Sequence, residues 1–145
     1  MVRSILGVVV GYIVIFVILF CVLTLAYFGM GADRAFQPSS FYPSMLWVVI
    51  EIVLGFGAAV VSGLVCFAIA RKRGAVTALV VVILAIGAIS AIPALMAAGA
   101  PEAVRDASLS NMEAMMKCRQ PVWIAILNPV IGAVGVLVGS RLKRD

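Results

Sequence analysis

Four stretches of this chain run for twenty residues or more with almost no charge: Ile5 to Phe28, Met45 to Ala70, Ala75 to Ala100 and Pro121 to Ser140. Roughly 20 apolar residues in a helix cross the ~30 Å hydrocarbon core of a bilayer. Backbone polar groups have no other partner there, so each stretch is expected to be a transmembrane helix. The composition closes off the soluble alternative. With 65% hydrophobic and 12% charged residues and a mean hydropathy of +1.24, the chain carries more apolar surface than a water-facing domain of 145 residues can bury. The expectation is an all-α integral membrane protein: a single membrane domain, 1–145, forming a four-transmembrane-helix bundle. Its spans lie at about 5–28, 45–70, 75–98 and 121–140, its outer loops at about 29–44 and 99–120, and its inner turn at 71–74. The first run is longer than a signal-peptide core and lacks a small-x-small cleavage site, so it reads as a retained helix.

Lys and Arg cluster on one side of the spans: Arg3, the Arg71-Lys72-Arg73 turn, then Arg141, Lys143 and Arg144. The other side holds Arg34, Arg105, Lys117 and Arg119, mixed with Asp33, Glu102, Asp106 and Glu113. The excess of cations marks the cytoplasmic side, so both termini are expected in the cytoplasm of a bacterial inner membrane. Gly74 is suited to ending a helix at the RKRG turn. In the outer loops, Phe36, Phe41, Tyr42 and Trp47 suit the headgroup boundary. Pro101-Glu102 and the capping-box spacing Ser110-x-x-Glu113 each suggest the start of a short surface helix.

The net charge of +5 does not point to nucleic acid, because the cations sit at span ends rather than on a basic face with interleaved aromatics. The three cysteines, Cys21, Cys66 and Cys118, form no CxxC pair, and there is no histidine. That excludes histidine-ligated cofactors and histidine base catalysis. Met112, Met115, Met116 and Cys118 are soft donors close in sequence. A surface helix burying its methionines on the bundle explains them without a metal. No nucleophile-base set, phosphate loop or redox pair is present, so neither enzyme activity nor a cofactor is expected.

Glu51 is the one ionisable residue well inside a span, and such residues are functional candidates. Stepping by helical spacing from it gives Gly55, Ala58 and Ser62; span four has Asn128, Gly132, Gly135 and Gly139 at the same steps. Small residues on one stripe let helix backbones approach closely in lipid. Each stripe has a polar head, each span opens with a proline and a tryptophan, and each ends in a basic cluster, the pattern of a weak internal repeat of two hairpins. Glu51 is therefore expected to face the bundle interior within reach of Asn128, Gln120 or Arg119. It would serve as a polar pin or an ion-coupling site. Gly7 and Gly11, in GVVVG, mirror Gly135 and Gly139 and suggest contact between spans one and four. Pro93 should bend span three, with Ser90 as a compensating donor. The functional expectation is a non-enzymatic structural or accessory component that lies in the lipid bilayer and binds other membrane-protein subunits or itself. The alternative is a small transporter or channel using Glu51 for proton or cation coupling.

Overall fold

The computed structural model describes residues 1–101, 103–106 and 108–142. Six helices are present among them: α1 (Val2–Met30), α2 (Ala32–Ala35), α3 (Met45–Ala70), α4 (Arg73–Met96), α5 (Asn111–Met116) and α6 (Val122–Leu142). Four of these, α1, α3, α4 and α6, are long and apolar enough to cross a membrane. They run alternately up and down. α3 packs on α1 and α6, α4 packs on α6, and lighter α1–α4 and α3–α4 contacts complete the bundle. Most large apolar side chains on the outer faces, such as Phe16, Phe20, Val53, Val81 and Ile89, are exposed, as expected where lipid replaces water as the solvent.

The residues at the closest helix-to-helix contacts are small. Ala59, Ser62, Cys66, Leu79 and Val136 are fully buried, and three glycine contacts explain why. A β-carbon on Gly139 would strike the carbonyl of Val60, and one on Gly63 would strike the carbonyl of Val136. Gly135 sits against Ala59 Cβ, where an added β-carbon would be only 2.6 Å away. Removing the side chain lets α3 and α6 meet backbone to backbone. On the other side of α3, Gly7 abuts Ala70 and the Cys66 carbonyl, and Gly11 abuts Leu79 and Cys66. The GVVVG glycines therefore pack on α3 and, at Gly11, on Leu79 of α4, not on the last span. α1 shares its interface with the small residues of α3, and the apparent mirror of GVLVG does not place the two motifs together.

The turn between α3 and α4 also departs from expectation. Arg71, not Gly74, takes the left-handed conformation (φ 51), and its N–H donates to the Phe67 carbonyl at 2.8 Å. Gly74 lies inside α4, which has already begun at Arg73. α4 continues through Pro93 to Met96.

At the opposite end the connections fold into a cap. Gly31 (φ 78) ends α1, and the first loop doubles back through an isolated bridge between Phe36 and Pro43. Ser44 does two jobs there. Its hydroxyl donates to the Arg34 carbonyl at 2.6 Å and accepts from the Trp47 N–H at 3.2 Å, capping α3. Phe36 and Phe41 are buried within this cap, where the folded-back loop tucks Phe36 edge-on against Tyr27 (6.1 Å between centroids). In the second loop, Pro101 and residues 103–106 are irregular; Glu102 lies outside the described residues. Helix α5 starts at Asn111 behind a capping box in which the Ser110 hydroxyl accepts from the Glu113 N–H and the Glu113 carboxylate accepts from the Ser110 N–H.

Candidate functional site: a carboxylate among amides

Glu51 and Asn128 stand six residues inside the starts of α3 and α6, about 9 Å along each helix at 1.5 Å per residue. Both starts lie at the cap end, so the two side chains are level. Asn128 Nδ2 donates to Glu51 Oε1 at 2.8 Å. Gln120 Nε2, from the segment just before α6, donates to the same oxygen at 3.4 Å. Arg119 is not part of this group: its Nη1 donates to the Pro101 carbonyl at 3.0 Å, while its backbone N–H donates to the Phe41 carbonyl. Its position at the loop turns the guanidinium toward the cap, and the carboxyl of Glu51 is bonded by neutral amides.

Pro129 follows Asn128 inside α6. Having no N–H, it leaves the Ala125 carbonyl without its helical donor. Its ring seats in the hollow left by Gly87 of α4, where any β-carbon would collide with it. This contact fixes α6 against α4 one residue away from the Asn128 amide. On the same side, a pocket of about 250 Å³ opens among α1, α4 and α6. Tyr12, Ile83, Gly87 and Ser90 line it together with Gln120 and Asn128. The amides thus stand between this pocket and Glu51.

The two small-residue stripes do not face each other along their length. Ala58 and Ser62 are buried on the α1 side of α3, where the Ser62 hydroxyl donates to the Gly11 carbonyl at 2.7 Å. Gly55 is only half-buried, with Leu19 of α1 nearby. The α3 surface that meets α6 is one position over, at Ala59, Val60 and Gly63. Gly135 and Gly139 of α6 lie on it, whereas Gly132 faces Ile83 of α4. The geometric reason is angular: steps of four, three and four return to within about 20° of the starting direction, so the row keeps to one face, and Ala59 and Gly63 stand about 100° around the axis from Ala58 and Ser62. Gly63, four residues after Ala59, carried a readable signal of close packing. Nothing in the sequence singled out the pairing of Gly87 with Pro129.

A second polar group ties the cap. Arg105 is buried; its Nη2 lies 3.0 Å from Asp33 Oδ1 and its guanidinium stands 6.0 Å from the Phe36 ring centroid. Tyr27 donates to the Asn111 carbonyl at 2.6 Å, and Asn111 Oδ1 accepts from the Ala32 N–H at 3.1 Å. Helix α5 buries Ala114 fully and turns Met112, Met115 and Met116 outward. The methionines are not packed on the bundle top, because the small Ala114 is the residue that faces it. Among the described residues, no group of three or more His, Cys, Asp or Glu side chains is placed to hold a metal. No protein-family model matches the chain, and neither a curated protein nor a solved structure is significantly similar to it.

Proposed function

We propose that this is a non-enzymatic component of a bacterial inner membrane that works by binding other membrane proteins or a second copy of itself, with its basic end in the cytoplasm. The observation that carries this reading is the outer cap. Long-range bonds from Asn111 and Arg105 hold α5 and the second loop onto α1 and the first loop. The cap nevertheless leaves Met116 at 80% and Val104 at 79% exposure, with Met112 half exposed. A well-tied element that turns flexible thioethers outward offers a surface that can repack around a partner. The distribution of Lys and Arg supports the orientation. The Glu51–Asn128–Gln120 group acts in this reading as a polar pin joining α3 to α6 and to the segment before it.

The test is native mass spectrometry after extraction in mild detergent, with Met112→Ser/Met116→Ser as the comparison. A bound protein subunit or a second copy is expected with the native chain, and its loss with the variant. A monodisperse monomer carrying no protein partner would sink the proposal. The pocket beside the amides favours one second reading, in which Glu51 couples a proton or cation to transport. Proteoliposome flux that is present with the native chain and abolished by Glu51→Gln would establish it in place of the pin.

A further inference from the structure

At the end opposite the cap, a pocket of about 410 Å³ lies between the start of α1 and the α3–α4 turn, lined by Val2, Arg3, Ser4, Ala70, Arg71 and Lys72 together with Met1. The close approach of α1 and α3 creates it. Gly7, one turn above Arg3, rests on Ala70, and this brings the Arg3 side of α1 up to Arg71. Arg3, Arg71, Lys72 and Arg73 are all exposed, and Arg141 of α6 belongs to the same end. Among the described residues the acids are Asp33, Glu51, Asp106 and Glu113, all toward the cap, and the one ion pair is Arg105–Asp33. The basic cluster thus has no counter-charge from those residues. Lys72, at the cap position before α4, provides no side-chain cap, so the first N–H groups of that helix add to the positive field.

The surroundings specify the kind of anion. Apolar Val2 and Ala70 line the pocket beside its cations, and in a bilayer this end of the spans would meet the headgroups. Beyond it, Ile5, Leu6 and Val9 form an exposed apolar face along α1. A free phosphate would use the cations and leave that face idle. We propose that this pocket binds the headgroup of an anionic phospholipid. Arg3, Arg71 and Lys72 engage the phosphate, and the acyl chains run down α1. Basic pockets between transmembrane helices are suited to such headgroups, and a planar guanidinium can grip two phosphate oxygens at once.

The experiment is native mass spectrometry of the full chain titrated with phosphatidylglycerol or with phosphatidylcholine of the same acyl chains. The native protein is expected to prefer the anionic lipid by about tenfold or more. Arg3→Gln/Arg71→Gly/Lys72→Gln should bring that preference close to parity; glycine suits the left-handed backbone at 71. Arg141→Gln, outside the pocket, should keep it. Should the triple variant lose its helical circular dichroism, Arg3→Gln alone, at an exposed helical position, supplies the comparison and should weaken the preference several-fold. Equal binding of the two lipids by the native chain would overturn the proposal. So would an unchanged preference in the pocket variants, or displacement of the lipid by millimolar inorganic phosphate.

Discussion

The Ser62 hydroxyl donates to the Gly11 carbonyl at 2.7 Å, in the buried interface between α1 and α3. The glycine brings its backbone near enough for a short side chain to reach it. Interhelical bonds of this kind contribute about 0.6 kcal/mol on average in membrane proteins. Ser62→Ala is expected to lower stability by about that amount, read from the midpoint of unfolding in mixed dodecyl sulfate micelles. Ser62→Leu should cost about 1–3 kcal/mol, because the site has no room for the added carbons.

The glycines separate into two classes with opposite expected outcomes. Gly139→Ala places a methyl group against the Val60 carbonyl, and forcing α3 and α6 apart should cost about 1–3 kcal/mol. Gly57 has open space around its β-position, so Gly57→Ala should be neutral or stabilise by up to about 1 kcal/mol. The same unfolding titration checks both, and equal effects would contradict the backbone contact.

The four spans could be read from length and apolarity alone, because a bilayer demands both and little else in a sequence imitates them. Their partners could not. Gly7 and Gly11 announce a close approach without saying to which helix. The stripe from Glu51 to Ser62 keeps to one face of α3, yet its far end meets α1 through Ser62 while Glu51 reaches across to Asn128 of α6. Pairing depends on rotation about each axis, and Ala59, one residue from Ala58, meets a different neighbour. Asn128 stood out as a polar residue level with Glu51. Arg119 and Gln120 are neighbours in sequence, yet only Gln120 reaches Glu51, and the engagement of Arg119 with Pro101 is set by a loop path that no periodicity encodes.

Glutamine can accept the same two hydrogen bonds as Glu51, so Glu51→Gln should preserve the fold. Glu51→Leu leaves the Asn128 and Gln120 amides without their acceptor and should cost about 1–3 kcal/mol. Combining it with Asn128→Leu should recover part of that loss, since the unpaired amide is removed along with the acid. A double-mutant cycle on unfolding midpoints measures the coupling; strict additivity would mean the bond contributes nothing.

Helix α5 should loosen in acid. The Ser110 hydroxyl, and then its N–H, hold the Glu113 carboxyl below its ordinary value of 4.5. A depressed folded value means the capping contribution is complete above that ordinary value and is lost as pH falls through the folded one. Amide exchange across Asn111–Met116, corrected for intrinsic pH dependence, should accelerate on acidification below the ordinary glutamate range. Ser110→Ala should remove both the protection and its pH step.

The contacts of Gly63 under Val136 and Gly139 under Val60 form a reciprocal pair, each helix supplying one notch and one tooth three residues apart. Sliding α6 along α3 would drive both teeth out of their notches at once, into side chains rather than bare backbone. Piston-like displacement between these two helices is therefore blocked in either direction. The α3–α6 pair is thus the frame on which the other spans are set, with α4 also keyed to it by Pro129 in the hollow of Gly87.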